Sequence, residues 1–271
     1  NREGAEETVI LYMQFARALD PDNASVLVTL GNVKETIKQP EQAIELYKMV
    51  PEDSPMRRIS EMQLGLALSD MGEHGEAREH LKALIAEDPK DIRSYLAYGS
   101  VLSEDKAYAE MAANYEKALA AVGPAQTAND WNLYFQLGIA YERLKQWPKA
   151  EKALKRALEL QPNQPQVMNY LGYSWIDMNM NLDEGMEMIR NAVDLRPNDG
   201  YIVDSLGWAH YKLGEYEDAV RELERAVELK PADPTINDQL GDAYWRGGRK
   251  TEAGFQWKRA LIGDPEPASK A

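Results

Sequence analysis

The chain has no cysteine among its 271 residues, which excludes disulfides, thiol catalysis and thiolate metal sites. The same absence leaves the compartment open, because cytoplasmic and periplasmic proteins alike can lack the residue. Histidine is nearly as scarce, with only His74, His80 and His210. The first two stand six apart and do not share one helix face at i,i+4 spacing. None of the three falls in a metal-ligand pattern, so no metal is expected. No apolar run approaches the ~20 residues a membrane-spanning helix needs. Positive charge is also short: 31 Lys and Arg against 45 Asp and Glu give a net charge of -14. That balance opposes nucleic-acid binding and anionic membranes, both of which call for Lys and Arg. It favours neutral or basic partners only weakly, since a local surface can differ from the average. There is no G-x-S-x-G, P-loop, Gly-rich dinucleotide loop or H-E-x-x-H. No enzyme chemistry and no cofactor are expected.

What the chain does have is self-similarity at one period. Glycines at 31, 65, 99, 138, 172, 207 and 241 are separated by 34, 34, 39, 34, 35 and 34 residues. Leu precedes six of the seven, and Tyr98 precedes the other. Twelve residues after most of these glycines stands alanine (Ala43, Ala77, Ala150, Ala219, Ala253). Seven further on is a small or apolar residue (Val50, Leu84, Ala118, Ala157, Ala226, Ala260). Proline closes the unit at Pro55, Pro89, Pro162, Pro231 and Pro265, and in the fifth unit the register slips by one to Gly185, Ala192 and Pro197. Small residues recurring in phase are what two closely crossing helices need, because larger side chains would hold the axes apart. Tyr141, Trp175, His210 and Tyr244, each three after a glycine, are expected to fill the space between helices.

Asp20-Pro21-Asp22-Asn23, Asp88-Pro89-Lys90-Asp91 and Pro197-Asn198-Asp199 supply turn and N-cap chemistry between units. First helices are predicted near 24–37, 57–71, 91–104, 130–144, 165–178, 199–213 and 234–247. Second helices are predicted near 40–50, 74–87, 107–121, 147–160, 182–195, 216–229 and 250–262. Residues 5–19 read as another second helix.

This pattern resembles the tetratricopeptide repeat, a unit of two helices. The best match runs Leu206-Gly207, Ala219, Leu223, Ala226, Pro231, and the next runs Leu240-Gly241-Asp242-Ala243-Tyr244, Ala253, Trp257, Ala260, Pro265. The resemblance implies an all-α solenoid, a right-handed superhelix of antiparallel helix pairs. Residues 1–23 then hold the second helix of a truncated leading repeat, 24–122 repeats one to three, 123–130 a longer connector, 131–265 repeats four to seven, and 266–271 a tail. The connector is expected to act as a soft joint between two halves. No polar helix is seen to cap the last repeat, which would leave Trp257 and Leu261 exposed or meeting a partner. Asn1 is not a start methionine, so the chain is read as a fragment or processed form.

In this family the first helices line the inner surface, through positions six, three and two before the glycine and one, four and five after it. Mapped here, they are Gln166, Asn169, Tyr170, Tyr173, Ile176 and Asp177; Tyr201, Asp204, Ser205, Trp208, Tyr211 and Lys212; and Thr235, Asp238, Gln239, Asp242, Trp245 and Arg246. The resemblance thus implies a protein- or peptide-binding groove at Asn169, Tyr173, Tyr201, Asp204, Trp208, Tyr211, Lys212, Asp238, Asp242, Trp245 and Arg246. Aromatic anchors ringed by polar groups suit a protein interface. The alternative is that some of these rings pack between neighbouring first helices. Where chaperone-binding members carry a carboxylate clamp of Lys, Asn and Arg, this chain reads Asn169/Tyr173, Asp204/Trp208 and Asp238/Asp242, with two aspartates where cations are needed, which argues against that mode. Met178, Met180, Met186 and Met188 read either as core filling or as adaptable contact surface.

A narrower resemblance covers residues 169–177, 182–185 and 200–208. There the sequence is similar to bacterial envelope tetratricopeptide lipoproteins, some of which bind carboxyl-terminal processing proteases. It implies a scaffold or adaptor at the periplasm or anchored to the outer membrane, with an envelope protease among the partners. A cytoplasmic adaptor, a self-assembling structural module and a repeat segment of a larger protein with a catalytic domain elsewhere are the alternatives.

Overall fold

The computed structural model describes residues 2–262, with side chains from residue 8 onward. Asn1, Pro265 and the tail at 266–271 lie outside the described residues. Among those described there are fifteen α-helices, one 3-10 turn at Ala128–Asp130 and no strand. Helix ends fall within three residues of the positions expected from the repeat. The chain divides into two compact units, the first ending at Ala153 and the second beginning at Leu154.

In the first unit α1 (Arg2–Leu19) packs on α2 (Ala24–Thr36). There follow the pairs α2 and α3 (Pro40–Lys48), α4 (Arg57–Asp70) and α5 (His74–Glu87), and α6 (Ile92–Glu104) and α7 (Tyr108–Val122). Next come α8 (Trp131–Arg143) and the start of α9 (Trp147–Leu160). Ala118 of α7 and Leu133, Leu137 and Ala140 of α8 share one buried cluster, sealed by Leu119, Val122 and Tyr134, so the core passes beneath the loop without a break. The division of the chain falls inside α9 instead.

The second unit holds the rest of α9 and the pairs α10 (Pro165–Asp177) with α11 (Leu182–Leu195), α12 (Gly200–Lys212) with α13 (Tyr216–Leu229), and α14 (Pro234–Arg246) with α15 (Lys250–Ile262).

Why each pair nests is visible at the glycines. A Cβ built on Gly65 would lie 2.8 Å from the Leu81 side chain, on Gly207 2.6 Å from Leu223 Cγ, and on Gly241 2.5 Å from the Trp257 ring. The rings of Tyr47 and Tyr115 press in the same way on Gly31 and Gly99. The facing residue sits sixteen positions after its glycine, on the second helix of the same repeat. The fifth repeat differs. Its one-residue slip brings Gly185 opposite Gly172, and the two backbones touch: a Cβ on Gly172 would meet the Gly185 carbonyl oxygen at 2.6 Å, and one on Gly185 the Gly172 carbonyl oxygen at 2.9 Å.

Each first helix ends in the same turn. The N–H of Gln39, Glu73, Ala107, Gln146, Met180, Glu215 and Arg249 donates to the carbonyl five residues back, at 2.7 to 2.9 Å. The residue before each donor has positive φ: Lys38, Gly72, Lys106, Lys145, Asn179, Gly214 and Gly248. This closure satisfies helix-end carbonyls that would otherwise be orphaned. The fifth repeat absorbs its extra residue with a second left-handed asparagine, Asn181, at φ 42°. Asn tolerates that region better than most side chains. At the opposite ends, side chains of Asn23, Asp91, Asp199 and Asp233 accept from the N–H groups of Val26, Arg93, Tyr201 and Ile236 at 3.1 to 3.2 Å, as N-caps.

Of the residues three after a glycine, Trp175, His210 and Tyr244 are buried between helices, and Tyr141 is partly so. Trp257 is not left open as expected: it packs on Gly241, and its indole N–H donates to Asp242 at 3.2 Å. Leu261 is 57% exposed, as are Phe255 and Ile262 to similar or greater extents.

Three substitutions test this account. Gly172→Ala drives a methyl into a backbone carbonyl that cannot rotate away, and is expected to cost about 3 kcal/mol in chemical denaturation. Gly65→Ala, which meets only a leucine side chain, is expected to cost about 1 kcal/mol. Gly214→Ala places a methyl in open space at φ 80°. Its cost is expected to be about 1 kcal/mol, the backbone penalty alone.

Candidate functional site

Three first helices of the second unit, α10, α12 and α14, lie side by side, α12 touching both neighbours. Their inner positions meet across these contacts. The Asn169 amide on α10 donates to the Ser205 hydroxyl on α12 at 3.1 Å, while Ser205 donates to the Tyr201 carbonyl at 3.0 Å. The other side of Asn169, its Oδ1, is buried without a hydrogen-bond partner. Lys212 near the end of α12 reaches back to Asp177 of α10 at 3.0 Å. Between these ties lies the half-buried Tyr173. Burial, with the charges of Asp177 and Asp204, raises its phenol to about 12.

Asp204 is partly buried in the middle of the face. The Gln239 amide on α14, in the orientation that satisfies both groups, donates to its two oxygens at 2.6 and 3.2 Å. Desolvation pushes the Asp204 carboxyl up to about 8, and the charge of Asp233 adds to the effect. Asp238 and Asp242 follow one turn apart on α14. Burial raises both, and the Asp242 charge raises Asp238 further, whereas the Trp257 indole N–H partly offsets the effect at Asp242. Among the described residues no donor or cation reaches Asp238, and no cation pairs with Asp242.

The aromatic residues stand beside these acids. Trp208 and Tyr211 are stacked, with ring centroids 4.5 Å apart and planes 9° from parallel. Tyr216, at the start of α13, meets Tyr211 edge-on at 5.6 Å. The Arg246 guanidinium covers the Tyr216 ring at 4.7 Å and donates to its hydroxyl. Trp245 tilts against Trp257 at 5.7 Å, carries the Lys250 ammonium 4.9 Å from its ring, and is still 46% exposed. The Asp242 charge reaches Tyr211: burial comes first in raising that phenol and Asp242 second.

Most of the residues expected on the face are thus brought together: Asn169, Tyr173, Asp204, Trp208, Tyr211, Lys212, Asp238, Asp242, Trp245 and Arg246. Tyr201 is not. It sits two turns away at the start of α12, 54% exposed, beside Arg196, Pro197 and Lys230 in a separate hollow. Ile176, placed inward by position, is a buried core residue, and Ser205 is buried beneath the face. The methionines divide: Met186 is core and Met188 packs on it, while Met178 and Met180 are exposed.

Two contributors come from second helices. Tyr216 follows the turn after Tyr211, and Trp257 occupies the position that faces the repeat glycine, so only its indole edge arrives at Asp242. No inner-position rule contains either. His210 is buried in a hydrogen bond from Nδ1 to Glu215 at 2.5 Å. Asp218 completes a close group with them but is paired with Arg221 at 2.6 Å. The three groups lock the turn between α12 and α13.

Comparison with known proteins agrees with the geometry. Tetratricopeptide-repeat family models match residues 62–127, 131–164 and 207–248. The TPR repeat-containing protein PA4667 of Pseudomonas aeruginosa is 29% identical over 197 residues, covering 72% of this chain and 32% of that protein. The BBSome complex member BBS4 of Bos taurus is 27% identical over 184 residues, 68% of this chain and 34% of that one. The chain therefore spans about a third of the length of these relatives. Among solved structures, a chain of the APC/C hetero-tetramer Cut9–Hcn1 is similar with a TM-score of 0.72, at 17% identity, over 98% of this chain and 51% of the other. A tetratricopeptide repeat protein from Parabacteroides merdae has a TM-score of 0.68 at 16% identity, over 91% and 96%. Glycines nested against a second helix, repeated in phase and matched by three models of the same repeat, make this chain a member of the tetratricopeptide-repeat family.

Proposed function

We propose that this chain is a non-enzymatic scaffold that holds a protein or peptide partner on the face formed by α10, α12 and α14. The observation that carries the reading is the stacked Trp208–Tyr211 pair with the half-exposed Trp245, set beside Asp238 and Asp242, which have no ion-pair partner among the described residues. Large rings fixed by packing present contact area at little entropic cost, and such anchors dominate the affinity of protein interfaces. The repeat fold is typically a protein-interaction scaffold, which agrees with the lack of a catalytic constellation in the sequence.

Within that reading the partner is a protein of the bacterial cell envelope, with a carboxyl-terminal processing protease among the candidates. Support comes from the run at 169–177, 182–185 and 200–208, and from similarity to a Pseudomonas aeruginosa repeat protein. Cell fractionation tests the location: the full-length product is expected with the envelope, and recovery in the cytoplasm contradicts the assignment.

A second reading, self-association, is favoured by exposed apolar residues on two helices: Leu11, Tyr12 and Phe15 of α1, and Phe255 and Leu261 of α15. Sedimentation velocity over a range of concentrations separates the two, because a concentration-independent monomer removes strong self-assembly.

The scaffold reading is tested by Trp208→Ala combined with Trp245→Ala. Affinity for partners purified from the native host is expected to fall about thirtyfold or more, with helicity by circular dichroism unchanged. Unaltered affinity contradicts the placement of the interface on this face.

A further inference from the structure

The face described above carries a charge problem that the chain itself does not solve. Asp238 and Asp242 lie four apart on α14, where like charges repel, and the Asp242 charge shifts Asp238 upward. The cations nearby are committed elsewhere. Lys212 is paired with Asp177, Arg246 lies on the Tyr216 ring, and Lys250 lies over Trp245. Asp242 is left with one indole N–H, and Asp238 has neither a donor nor a cation among the described residues. Beside them on the same face the Trp208–Tyr211 pair is stacked ring on ring, and Tyr211 feels the Asp242 charge and, in the opposite direction, Arg246.

We propose that this face selects an extended segment carrying a basic side chain, arginine ahead of lysine, whose cation sits between Asp238 and Asp242 against the Trp208–Tyr211 stack. The inference rests on the scaffold reading and adds the chemistry of what is held. A guanidinium has the planar donor fork that two neighbouring carboxylates accept, and its flat face suits an aromatic ring. Entry of the cation removes the repulsion along α14 and strengthens as the ring wall excludes water. A segment ending in a free carboxylate, or presenting Asp or Glu here, meets like charge instead.

The experiment selects displayed random peptides on the whole chain and measures the winners by fluorescence anisotropy. A consensus with Arg or Lys at one fixed position is expected. Binding of those peptides is expected to weaken at least about tenfold in Asp238→Asn with Asp242→Asn. It is expected to change less than about twofold in Glu217→Gln with Glu228→Gln, which removes the same charge from the exposed side of α13. Equal weakening in both pairs means that only the overall negative charge attracts the peptides, and overturns the proposal. Winners without a basic position, or no winners at all, also overturn it. The underlying scaffold reading is judged separately, by Trp208→Ala. Neutral winners that lose affinity in that variant leave the interface in place and remove only its preference for a cation; winners indifferent to both the acids and Trp208 remove both.

Discussion

Everything in this protein depends on two helices approaching closely enough for a side chain of one to rest on the bare Cα of the other. Five of the seven repeat glycines show that contact directly, Gly172 meets the Gly185 backbone instead, and in each of the six an added methyl would collide. Tight nesting of a pair hides the face each helix turns toward its partner. Within each unit it leaves the remaining face of a first helix free to line up with its neighbouring first helices. The proposed face of the second unit is therefore a by-product of packing: once α10 with α11, α12 with α13 and α14 with α15 are closed, Tyr173, Trp208 and Trp245 have nowhere to go but outward or against one another.

The sequence made the repeat legible because close approach tolerates so few residues. Gly and Ala at fixed offsets report a steric limit, and a steric limit does not depend on the rest of the fold. The positive-φ turn after each first helix was less legible. Three of the seven positions are lysines, which carry no sign of a left-handed backbone; geometry imposed by the two flanking helices overrides local preference there. The slip in the fifth repeat could be counted in the sequence, but its consequence could not. That Gly185 would abut Gly172 backbone to backbone follows only when two asparagines take up the extra residue. The connector at 123–130 is a related case. Extra length reads as looseness, yet Leu119, Val122 and Tyr134 close the core below it, and loop length alone says nothing about what packs underneath.

At the candidate site, sequence position told which residues face inward but not which of them remain accessible. Ile176 is inward by rule and buried in fact, because neighbouring helices cover it. Tyr201 is inward by rule and remote in fact, because it stands at the far end of its helix. The hydrogen bonds that set the chemistry, Gln239 to Asp204 and Trp257 to Asp242, join different helices, and no one-dimensional pattern contains them. The pairing of Lys212 with Asp177 belongs to the same class. These cross-helix ties decide that some charges are spent within the chain, while Asp238 has no partner among the described residues.

The claim that packing turns the first helices into a partner-binding surface is tested most directly by amide hydrogen exchange, read by mass spectrometry, on the chain with and without a partner purified from its host. Slower exchange concentrated in 165–177, 200–212 and 234–246 is the result the account requires. Protection confined to 182–195 and 216–229, on the second helices, would contradict it.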